Sequence, residues 1–170
     1  MLSRSSSVAK TILSRTRGVA ARSFSSEATE VATSVSLNFS VPYESIYKGA
    51  SVESVIIPGT EGEYGVTANH VPYVAQMKPG ILTVQFDSAE SEKYFVAGGY
   101  AVTHANSVTD VVCVEAVKVD DLDASAVSAN YEAAKSAAAS AAGGSQEEAE
   151  AQIDMEVNKT MGAALGLTLG

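Results

Sequence analysis

Residues 34–117 contain six short runs of strand-forming residues, and this spacing constrains the fold more than any other feature of the chain. In the first run, from Val35 to Val41, apolar and polar residues alternate with the period of two that indicates a strand with one buried face. Turn-forming pairs such as Pro58-Gly59 separate the later runs, which cover residues 51–57, 80–86, 93–99, 100–104 and 108–117. Many short strands joined by tight turns predict an antiparallel sandwich or barrel rather than alternating strands and helices.

The composition of the sequence changes at Asp120, where an alanine-rich stretch without Gly or Pro begins. Alanine is the strongest helix former, so this stretch predicts a helix. Asp120, Asp121 and Asp123 are expected in its first turn, because the helix dipole and the free backbone N–H groups favour negative charge there. We expect Gly143-Gly144 to end the helix.

A second helix is predicted from Ser145, because Ser145 and Glu148 have the S-x-x-E spacing of a capping box. Four apolar residues spaced by four then share one face of this helix: Ile153, Val157, Met161 and Leu165. Two helices joined by a short glycine turn predict an antiparallel hairpin, which buries little area per residue and depends on the sandwich or a partner. Near the end of the chain, glycines recur at every fourth position, at Gly162, Gly166 and Gly170. They could form a groove for close helix contact, but glycine weakens helices, which favours a frayed end.

The first 26 residues differ from the rest of the chain in charge. They contain no acidic residue, whereas the rest contains six lysines, no arginine and all 20 acidic residues. An Arg- and Ser-rich, acid-free start is typical of a mitochondrial or plastid transit peptide, and Arg22 predicts cleavage near Phe24. A basic arm that binds nucleic acid or lipid is the alternative, but the abrupt end of the basic run at Glu27 favours the transit peptide. The basic residues of this segment are Arg4, Lys10, Arg15, Arg17 and Arg22.

The acidic remainder argues against nucleic acid as a partner, because six scattered lysines cannot form the basic stripe that phosphate contacts require. No apolar run reaches the roughly 18 residues that a membrane-spanning helix needs. The two histidines, His70 and His104, lie far apart in sequence, and the one cysteine, Cys113, lies in an apolar run typical of a small buried side chain. We therefore expect no cofactor, no metal site and no active site.

Glycines in two places predict backbone geometry rather than a ligand site. Gly59, Gly62 and Gly65 are expected to allow positive φ in a tight turn, because neither the G-x-G-x-x-G nor the P-loop spacing is present. Gly98-Gly99, inside strand-like sequence, indicates a bulge or a place where another backbone comes close.

Several short motifs occur in an order that resembles the small central-stalk subunit of rotary ATP synthases, called delta in mitochondria and epsilon in bacteria and chloroplasts. The motifs are Pro58-Gly59-Thr60-Glu61-Gly62-Glu63-Tyr64-Gly65-Val66, Asn69-His70-Val71-Pro72, Lys78-Pro79-Gly80, Gly98-Gly99 and Asp121-Leu122-Asp123. The resemblance runs from about Val35 to the second helix. In the strands the resemblance rests on these motifs, whereas in the helices it rests on the order and length of the predicted elements and on the Asp121-Leu122-Asp123 entry.

The resemblance implies an α+β, mainly β, fold with a mitochondrial transit peptide over residues 1–26. An N-terminal antiparallel β-sandwich of about ten strands would occupy residues 33–119, and a C-terminal antiparallel helical hairpin residues 120–170. It implies a non-catalytic rotor subunit on the matrix side of the mitochondrial inner membrane, which joins the gamma shaft to the c-ring and couples proton flow to ATP synthesis. The implied partners are the gamma subunit, the c-ring and the small mitochondrial epsilon subunit.

The resemblance also implies two interaction surfaces. The c-ring interface would comprise Glu61, Glu63, Gly65, Asn69 and His70. The gamma-subunit interface would comprise Lys78, Pro79, Gly80, Ile81, Gly98 and Gly99. Carboxylates on the first surface would meet basic c-ring loops and set register more than affinity, since exposed ion pairs contribute only about 0–1 kcal/mol each.

Three further possibilities arise for the same sequence: ATP binding, a regulatory module and an enzyme. Some bacterial relatives bind ATP on the helices through an L/I-D-x-x-R-A motif, but Ala126 occupies the arginine position here, so we expect no ATP binding. A regulatory ligand-binding stalk module whose helices inhibit ATP hydrolysis is disfavoured, because the helices carry only Lys135 and Lys159 as basic residues. A sandwich-fold enzyme would have to use His70 with Glu61 or Glu63.

Overall fold

The computed structural model describes residues 32–170, which form a ten-stranded β-sheet followed by two α-helices. The strands are β1 (Val35–Val41), β2 (Glu44–Val52), β3 (Ser54–Gly59), β4 (Gly62–Thr67), β5 (Tyr73–Met77), β6 (Gly80–Gln85), β7 (Ser91–Val96), β8 (Gly99–Thr103), β9 (Val108–Cys113) and β10 (Ala116–Lys118). A 3₁₀ turn at Val119–Asp121 leads to helices α1 (Ala124–Ser140) and α2 (Gln146–Ala164). The predicted transit peptide, residues 1–26, and its cleavage site near Phe24 lie outside the described residues.

The strands form two five-stranded layers, β10-β7-β6-β3-β4 and β5-β8-β9-β1-β2, which are continuous where Gly59 of β3 pairs with Met77 of β5. The pairs are antiparallel except for β1 and β9, which run parallel. The predicted fold class, a mainly β sandwich followed by a helical hairpin, is confirmed. The parallel β1–β9 pair is the exception to the antiparallel prediction.

The core lies between the two layers. Alternating residues of β1 point inward, and Leu37 and Phe39 are completely buried, as is Leu82 on β6. The rings of Phe39 on β1 and Tyr94 on β7 meet edge to face across the layers, with centroids 5.3 Å apart. Burial of each such side chain contributes about 1.5–3 kcal/mol. Most of the buried apolar side chains in residues 32–170 belong to the strands, so the sandwich contains most of the apolar burial.

Three strands differ from the sequence prediction. β2 and β5 were missed, because they lie at the outer edges of their layer and are mostly half-buried or exposed. β4 was interpreted as a turn because Gly62 and Gly65 are uncommon in strands. Gly62 has positive φ (137°) as expected, but Gly59 and Gly65 do not, so the positive-φ prediction is wrong for these two.

Two predicted runs are each divided in the structure. The run at residues 51–57 is interrupted at Glu53, where the chain passes from β2 to β3, and the backbone N–H of Glu53 donates to Gln85. The run at residues 108–117 is interrupted at Val114 and Glu115, so that β9 and β10 belong to different layers. A continuous apolar pattern does not reveal such a crossing, because both halves have strand character.

The first helix begins later than predicted. The Asp123 carboxylate accepts hydrogen bonds from the backbone N–H groups of Ser125 (2.8 Å) and Ala126 (3.2 Å), which makes Asp123 the N-cap. Asp120 and Asp121 lie in the preceding 3₁₀ turn, so their placement in the first turn of the helix is wrong. The helix itself is confirmed.

The capping box at the start of α2 is confirmed. The Ser145 hydroxyl accepts a hydrogen bond from the Glu148 N–H at 3.2 Å. The Glu148 carboxylate accepts from the Gly144 N–H at 2.6 Å, one residue before the partner expected in an ideal box. These contacts hold the turn between the helices.

The end of α2 is closed by a Schellman motif and does not fray. Gly166 has φ of 75°, and the N–H groups of Gly166 and Leu167 donate to the carbonyls of Ala163 (3.1 Å) and Gly162 (2.8 Å). A Cβ added to Gly162 would lie 2.6 Å from the Leu169 side chain, so the residues after α2 fold back onto it. The fraying prediction is therefore wrong, and the close contact at Gly162 is correct.

The buried face of α2 consists of small residues rather than the predicted apolar stripe. Ala151 and Gly162 are buried, whereas Ile153 is 60% exposed. Within residues 32–170, neither helix has the length and apolar character needed to cross a membrane.

Candidate interaction surfaces

The hairpin of β3 and β4 presents the first candidate surface. Gly59 pairs with Gly62 across a two-residue turn, and Gly62 needs its positive φ to make that turn. Alternation along β4 points Tyr64 inward and leaves Glu63 and Gly65 on the outside, while Glu61 is exposed at the turn. The predicted residues Glu61, Glu63 and Gly65 therefore share one exposed ridge.

The loop after β4 is held by Asn69. This residue has φ of 61°, its N–H donates to the Ser107 hydroxyl at 2.8 Å, and its side-chain amide donates to the Ala32 carbonyl at 2.7 Å. The loop is thus tied to the β8–β9 turn and to the chain before β1. Asn69 was predicted as an interface residue, and its contacts give it a positioning role for its neighbour His70.

His70 is oriented by its own backbone neighbours. Its N–H donates to the Thr67 carbonyl at 3.2 Å, and its Nδ1 lies 2.8 Å from the Val71 carbonyl. A carbonyl can only accept, so Nδ1 is the donor in this contact, and Nε2 takes no part in it. No hydrogen bond joins His70 to Glu61 or Glu63 in the described structure, so the pairing that the enzyme alternative requires is not formed.

A groove separates the ridge of β4 from the start of β5. The rings of Tyr64 and Tyr73 meet edge to face with centroids 5.4 Å apart, and Val71, 69% exposed, continues the apolar wall. The Tyr64 hydroxyl is buried without a hydrogen-bond partner in residues 32–170, and this burial raises its pKa to about 12. The groove therefore has acidic rims and an apolar floor.

The glycines of the second candidate surface serve packing between backbones. A Cβ on Gly80 would lie 2.6 Å from Pro58, and one on Gly98 would lie 3.2 Å from the Met77 carbonyl oxygen. A Cβ on Gly99, whose φ is +153°, would lie 2.1 Å from the Val112 carbonyl oxygen. The predicted close approach of another backbone at Gly98-Gly99 is confirmed. Because these residues have no side chain, they can contact a partner only through their backbone.

The other members of this surface differ in exposure. Lys78 is exposed, Pro79 is half-buried, and both lie in the connection between β5 and β6. Ile81 is half-buried and shares a shallow groove with Ala163 and Ala164 at the end of α2. The hairpin therefore covers part of the face that Ile81 presents.

An apolar patch near Gly98-Gly99 escaped the sequence interpretation. Tyr100 lies directly opposite Val112 on the outer face of β8 and β9, and they are 58% and 54% exposed. Val114, 69% exposed, follows on the same side, and Val74 of β5 is 66% exposed. The run from Val111 to Val114 is apolar at successive positions, which could have indicated a strand with apolar residues on both faces. We call Val74, Tyr100, Val112 and Val114 the outer patch.

Titratable groups elsewhere form structural contacts. His104 Nε2 lies 2.7 Å from the Asp110 carboxylate, and hydrogen bonds from Asn38 first and then His104 lower the Asp110 pKa. Burial raises the pKa of the Cys113 thiol to about 12, so it is a poor nucleophile at neutral pH. In the described part of the chain, no group of three or more His, Cys, Asp or Glu side chains could hold a metal ion.

Comparison with known proteins identifies the family. A sequence model described as "ATP synthase, Delta/Epsilon chain, beta-sandwich domain" matches residues 34–119, which are the strands and the connection to the hairpin. The chain belongs to the ATP synthase delta/epsilon family. The ridge, the Asn69 loop and the close-packed glycines all lie within the matched residues.

Individual members of the family extend the likeness into the helices. Mitochondrial ATP synthase subunit delta' of Pisum sativum is 42% identical over 135 residues, which are 79% of this chain and 68% of the relative. Mitochondrial ATP synthase subunit delta of Neurospora crassa is 40% identical, over 79% of this chain and 81% of the relative. A chain in the cryo-EM structure of the Euglena gracilis mitochondrial ATP synthase, OSCP/F1/c-ring, superimposes with a TM-score of 0.75 at 29% identity, covering 79% of this chain and 83% of that one.

The helical hairpin of this delta/epsilon chain contains the two positions on which the expectation about ATP rests, Asp123 and Ala126. The Asp123 carboxylate is engaged as the helix N-cap, and Ala126 is exposed on the first turn. The groove between the helices has an alanine floor and an acidic rim that includes Glu147, Glu150 and Asp154. Carboxylates repel a triphosphate, and the absence of ATP binding stays a prediction.

Proposed function

We propose that this chain is a non-catalytic rotor subunit of the mitochondrial proton-translocating ATP synthase. The observation that carries the proposal is the 0.75 TM-score with a chain of a mitochondrial OSCP/F1/c-ring assembly, at 29% identity and over 79% of this chain. The curated relatives named mitochondrial subunit delta support the same compartment. In this role residues 33–119 join the gamma shaft to the c-ring, and residues 120–170 form a hairpin beside them.

The ridge of β4 meets the polar loops of the c-ring in this proposal. Glu61 and Glu63 are exposed and would pair with basic side chains there, while Nε2 of His70 is available for a hydrogen bond with the partner. Gly65 lets the partner approach the strand closely, and Asn69 positions the histidine loop. Each exposed contact contributes about 0–1 kcal/mol, so the ridge sets the orientation of the joint.

The gamma shaft contacts the region around Lys78, Pro79, Gly80, Ile81, Gly98 and Gly99. Since these glycines are packed against the chain's own backbone, we assign the affinity to the outer patch next to them. Exposed apolar side chains grouped on one sheet face are typical of an interface. The small mitochondrial epsilon subunit completes the assembly on the matrix side of the inner membrane, and the chain supplies stiffness rather than chemistry.

The proposal is tested by purification from cells in which a tagged copy replaces the native chain. We expect the chain to co-purify with gamma and the c-ring in mild detergent. His70→Ala should reduce proton-coupled ATP synthesis roughly two- to fivefold, as expected for an exposed contact of about 0.5–1 kcal/mol. His104→Ala is the matched control, because His104 is exposed and bonded to Asp110 elsewhere on the sandwich.

A chain recovered only as a free monomer would contradict the proposal. Loss of turnover of a small molecule by the isolated His70→Ala protein would instead support the enzyme alternative.

A further inference from the structure

Strand β4 ends its layer with one side unpaired. Among the described residues it pairs with β3 alone, from Ser54–Thr67 to Gly59–Gly62. An unpaired edge presents a row of backbone donors and acceptors that another strand can use. The question is which groups of β4 point outward and what kind of strand they would accept.

Pro58 defines the direction of these groups. The Pro58 carbonyl accepts a hydrogen bond from the Lys78 N–H at 3.1 Å, so the backbone of Pro58 points away from β4. In an antiparallel ladder both members of such a pair point away from each other, and Glu63 is the partner of Pro58. The N–H and C=O of Glu63 therefore point to the free edge, and by the period of two so do those of Gly65.

The edge lacks several of the devices that commonly protect an edge strand, although it carries the charge of Glu63. Neither Lys nor Pro occurs in β4, and its pairing with β3 continues without a bulge. A Cβ added to the outward-pointing Gly65 would meet no atom within 4 Å. An incoming backbone can therefore approach the strand at this position.

Side chains beside the edge indicate the chemistry of the occupant. Glu61 and Glu63 are exposed on the rim of the groove, and no lysine lines it. The floor contains Tyr64, Val71 and Tyr73. A second copy of this chain would bring the same two carboxylates to the edge and be repelled, whereas a segment with alternating basic and apolar residues is complementary.

We propose that β4 receives an extended basic–apolar peptide segment of a partner by strand addition. Backbone hydrogen bonds would form to Glu63 and Gly65, basic side chains would face Glu61 and Glu63, and apolar side chains would cover Val71 and Tyr73. This specifies how the ridge would contact its partner. The identity of that partner rests on the proposed function. The mode of binding itself depends only on the edge.

The first test uses the full chain and a synthetic heptapeptide of alternating lysine and valine. Amide hydrogen exchange followed by NMR should show Glu63 and Gly65 exchanging rapidly in the free chain and at least tenfold more slowly with the peptide. The same peptide N-methylated at alternate residues keeps its charge but loses edge donors, and it should give no protection. Protection by both peptides, or by neither, would overturn strand addition.

Gly65→Pro removes an outward N–H without removing a bond to β3, so it should fold and bind the heptapeptide at least tenfold more weakly. If this variant does not fold, the pair of peptides still decides the question. Glu63 and Gly65 amides already protected in the free full chain would also overturn the proposal, since a segment of this chain would then occupy the edge.

The second test separates this inference from the proposed function. In the assembled enzyme, Gly65→Pro should weaken retention of the c-ring at least tenfold while gamma is retained. If the unaltered chain co-purifies with neither gamma nor the c-ring, the proposed function fails, and strand addition is still decided by the peptide experiment. Equal retention of the c-ring by Gly65→Pro and by the unaltered chain would overturn strand addition as the mode of contact with the c-ring and leave the proposed function intact.

Discussion

At the scale of single residues, a hydrogen-bonded cluster joins the two layers at one side of the sandwich. Glu92 on β7 accepts from the Tyr94 hydroxyl at 2.6 Å and from the Tyr47 hydroxyl of β2 in the opposite layer. Lys118 of β10 lies 3.1 Å from the same carboxylate. Because β2 and β10 are the outermost strands of their layers, this one carboxylate connects edges that no backbone pairing joins.

The Glu92 cluster predicts a pH-dependent stability. Hydrogen bonds from Tyr47 and then Tyr94 lower the Glu92 pKa from 4.5 to about 2. The unfolded chain therefore binds more protons between these values, so the contribution of Glu92 is full above pH 4.5 and is lost as pH falls towards 2. We expect Glu92→Gln to lower the free energy of unfolding by about 1–2 kcal/mol at pH 7, and by less as the pH is lowered through this window.

Urea unfolding at a series of pH values measures this difference. Glu53→Gln, which removes the charge of an exposed side chain, should change stability at pH 7 by less than about 0.5 kcal/mol. If the difference in unfolding free energy between Glu92→Gln and the unaltered chain stays constant from pH 7 to pH 2, the cluster does not lower the pKa of Glu92.

Gly99 predicts a steric effect at the same scale. Gly99→Ala would place Cβ 2.1 Å from the Val112 carbonyl oxygen at a φ of +153°, so overpacking and backbone strain add. We expect a loss of at least about 2 kcal/mol in thermal unfolding. Gly65→Ala in the isolated chain is the matched control in open space and should change stability by less than about 0.5 kcal/mol. Equal melting temperatures for the two variants would refute the packing role.

At the scale of elements, caps decide where the helices begin and end. Asp123 closes the start of α1, Ser145 with Glu148 closes the start of α2, and Gly166 closes its end. Each of the two N-caps contributes about 0.5–2 kcal/mol, which matters most for α2, whose buried residues are the small Ala151 and Gly162. The caps thus add to the packing between the helices in stabilising the hairpin.

The hairpin predicts no response to nucleotide. Asp123 is occupied as a cap, Ala126 offers no cation, and carboxylates line the groove between the helices. Isothermal titration of the purified chain with ATP is expected to show no heat of binding. A micromolar isotherm would contradict this expectation and favour the regulatory alternative.

At the scale of the whole molecule, exposed features are distributed over different faces. The acidic ridge lies on the β3–β4 hairpin, and the outer patch lies on the outer face of β5, β8 and β9. A molecule that joins two partners requires such separation, because each partner needs its own chemistry. The ridge suits a basic partner, and the outer patch suits an apolar one.

Val112→Lys tests the assignment of the outer patch to gamma. Its side chain is 54% exposed, so lysine can be accommodated by the fold, but a charge in an apolar contact should weaken association with gamma at least tenfold. Ile153→Lys, at 60% exposure on α2, is the matched control and should co-purify with gamma normally. Pull-down of gamma at increasing salt measures the difference, and unchanged retention by Val112→Lys would remove the outer patch from the proposal.

Local patterns in the sequence were sufficient for the fold class and for several elements. Period-two alternation in β1 and β6, the capping box at Ser145 and the alanine-rich α1 depend on neighbours within a few residues, and such interactions can be read in order along the chain. The motif order from Pro58 to Asp123 was likewise sufficient for the family. The same reading failed at β2, β5 and β4, where edge position and glycine content hide the strand pattern.

The sequence by itself thus determined that this chain forms a sandwich followed by a hairpin, because burial of one strand face and helix capping are local requirements. Only the tertiary structure decided that β1 pairs in parallel with β9, that Gly99 lies under Val112, and that β4 is left with a free edge. These features depend on contacts between residues far apart along the chain. A local pattern cannot encode them, because the partner of each residue is chosen by how the layers pack.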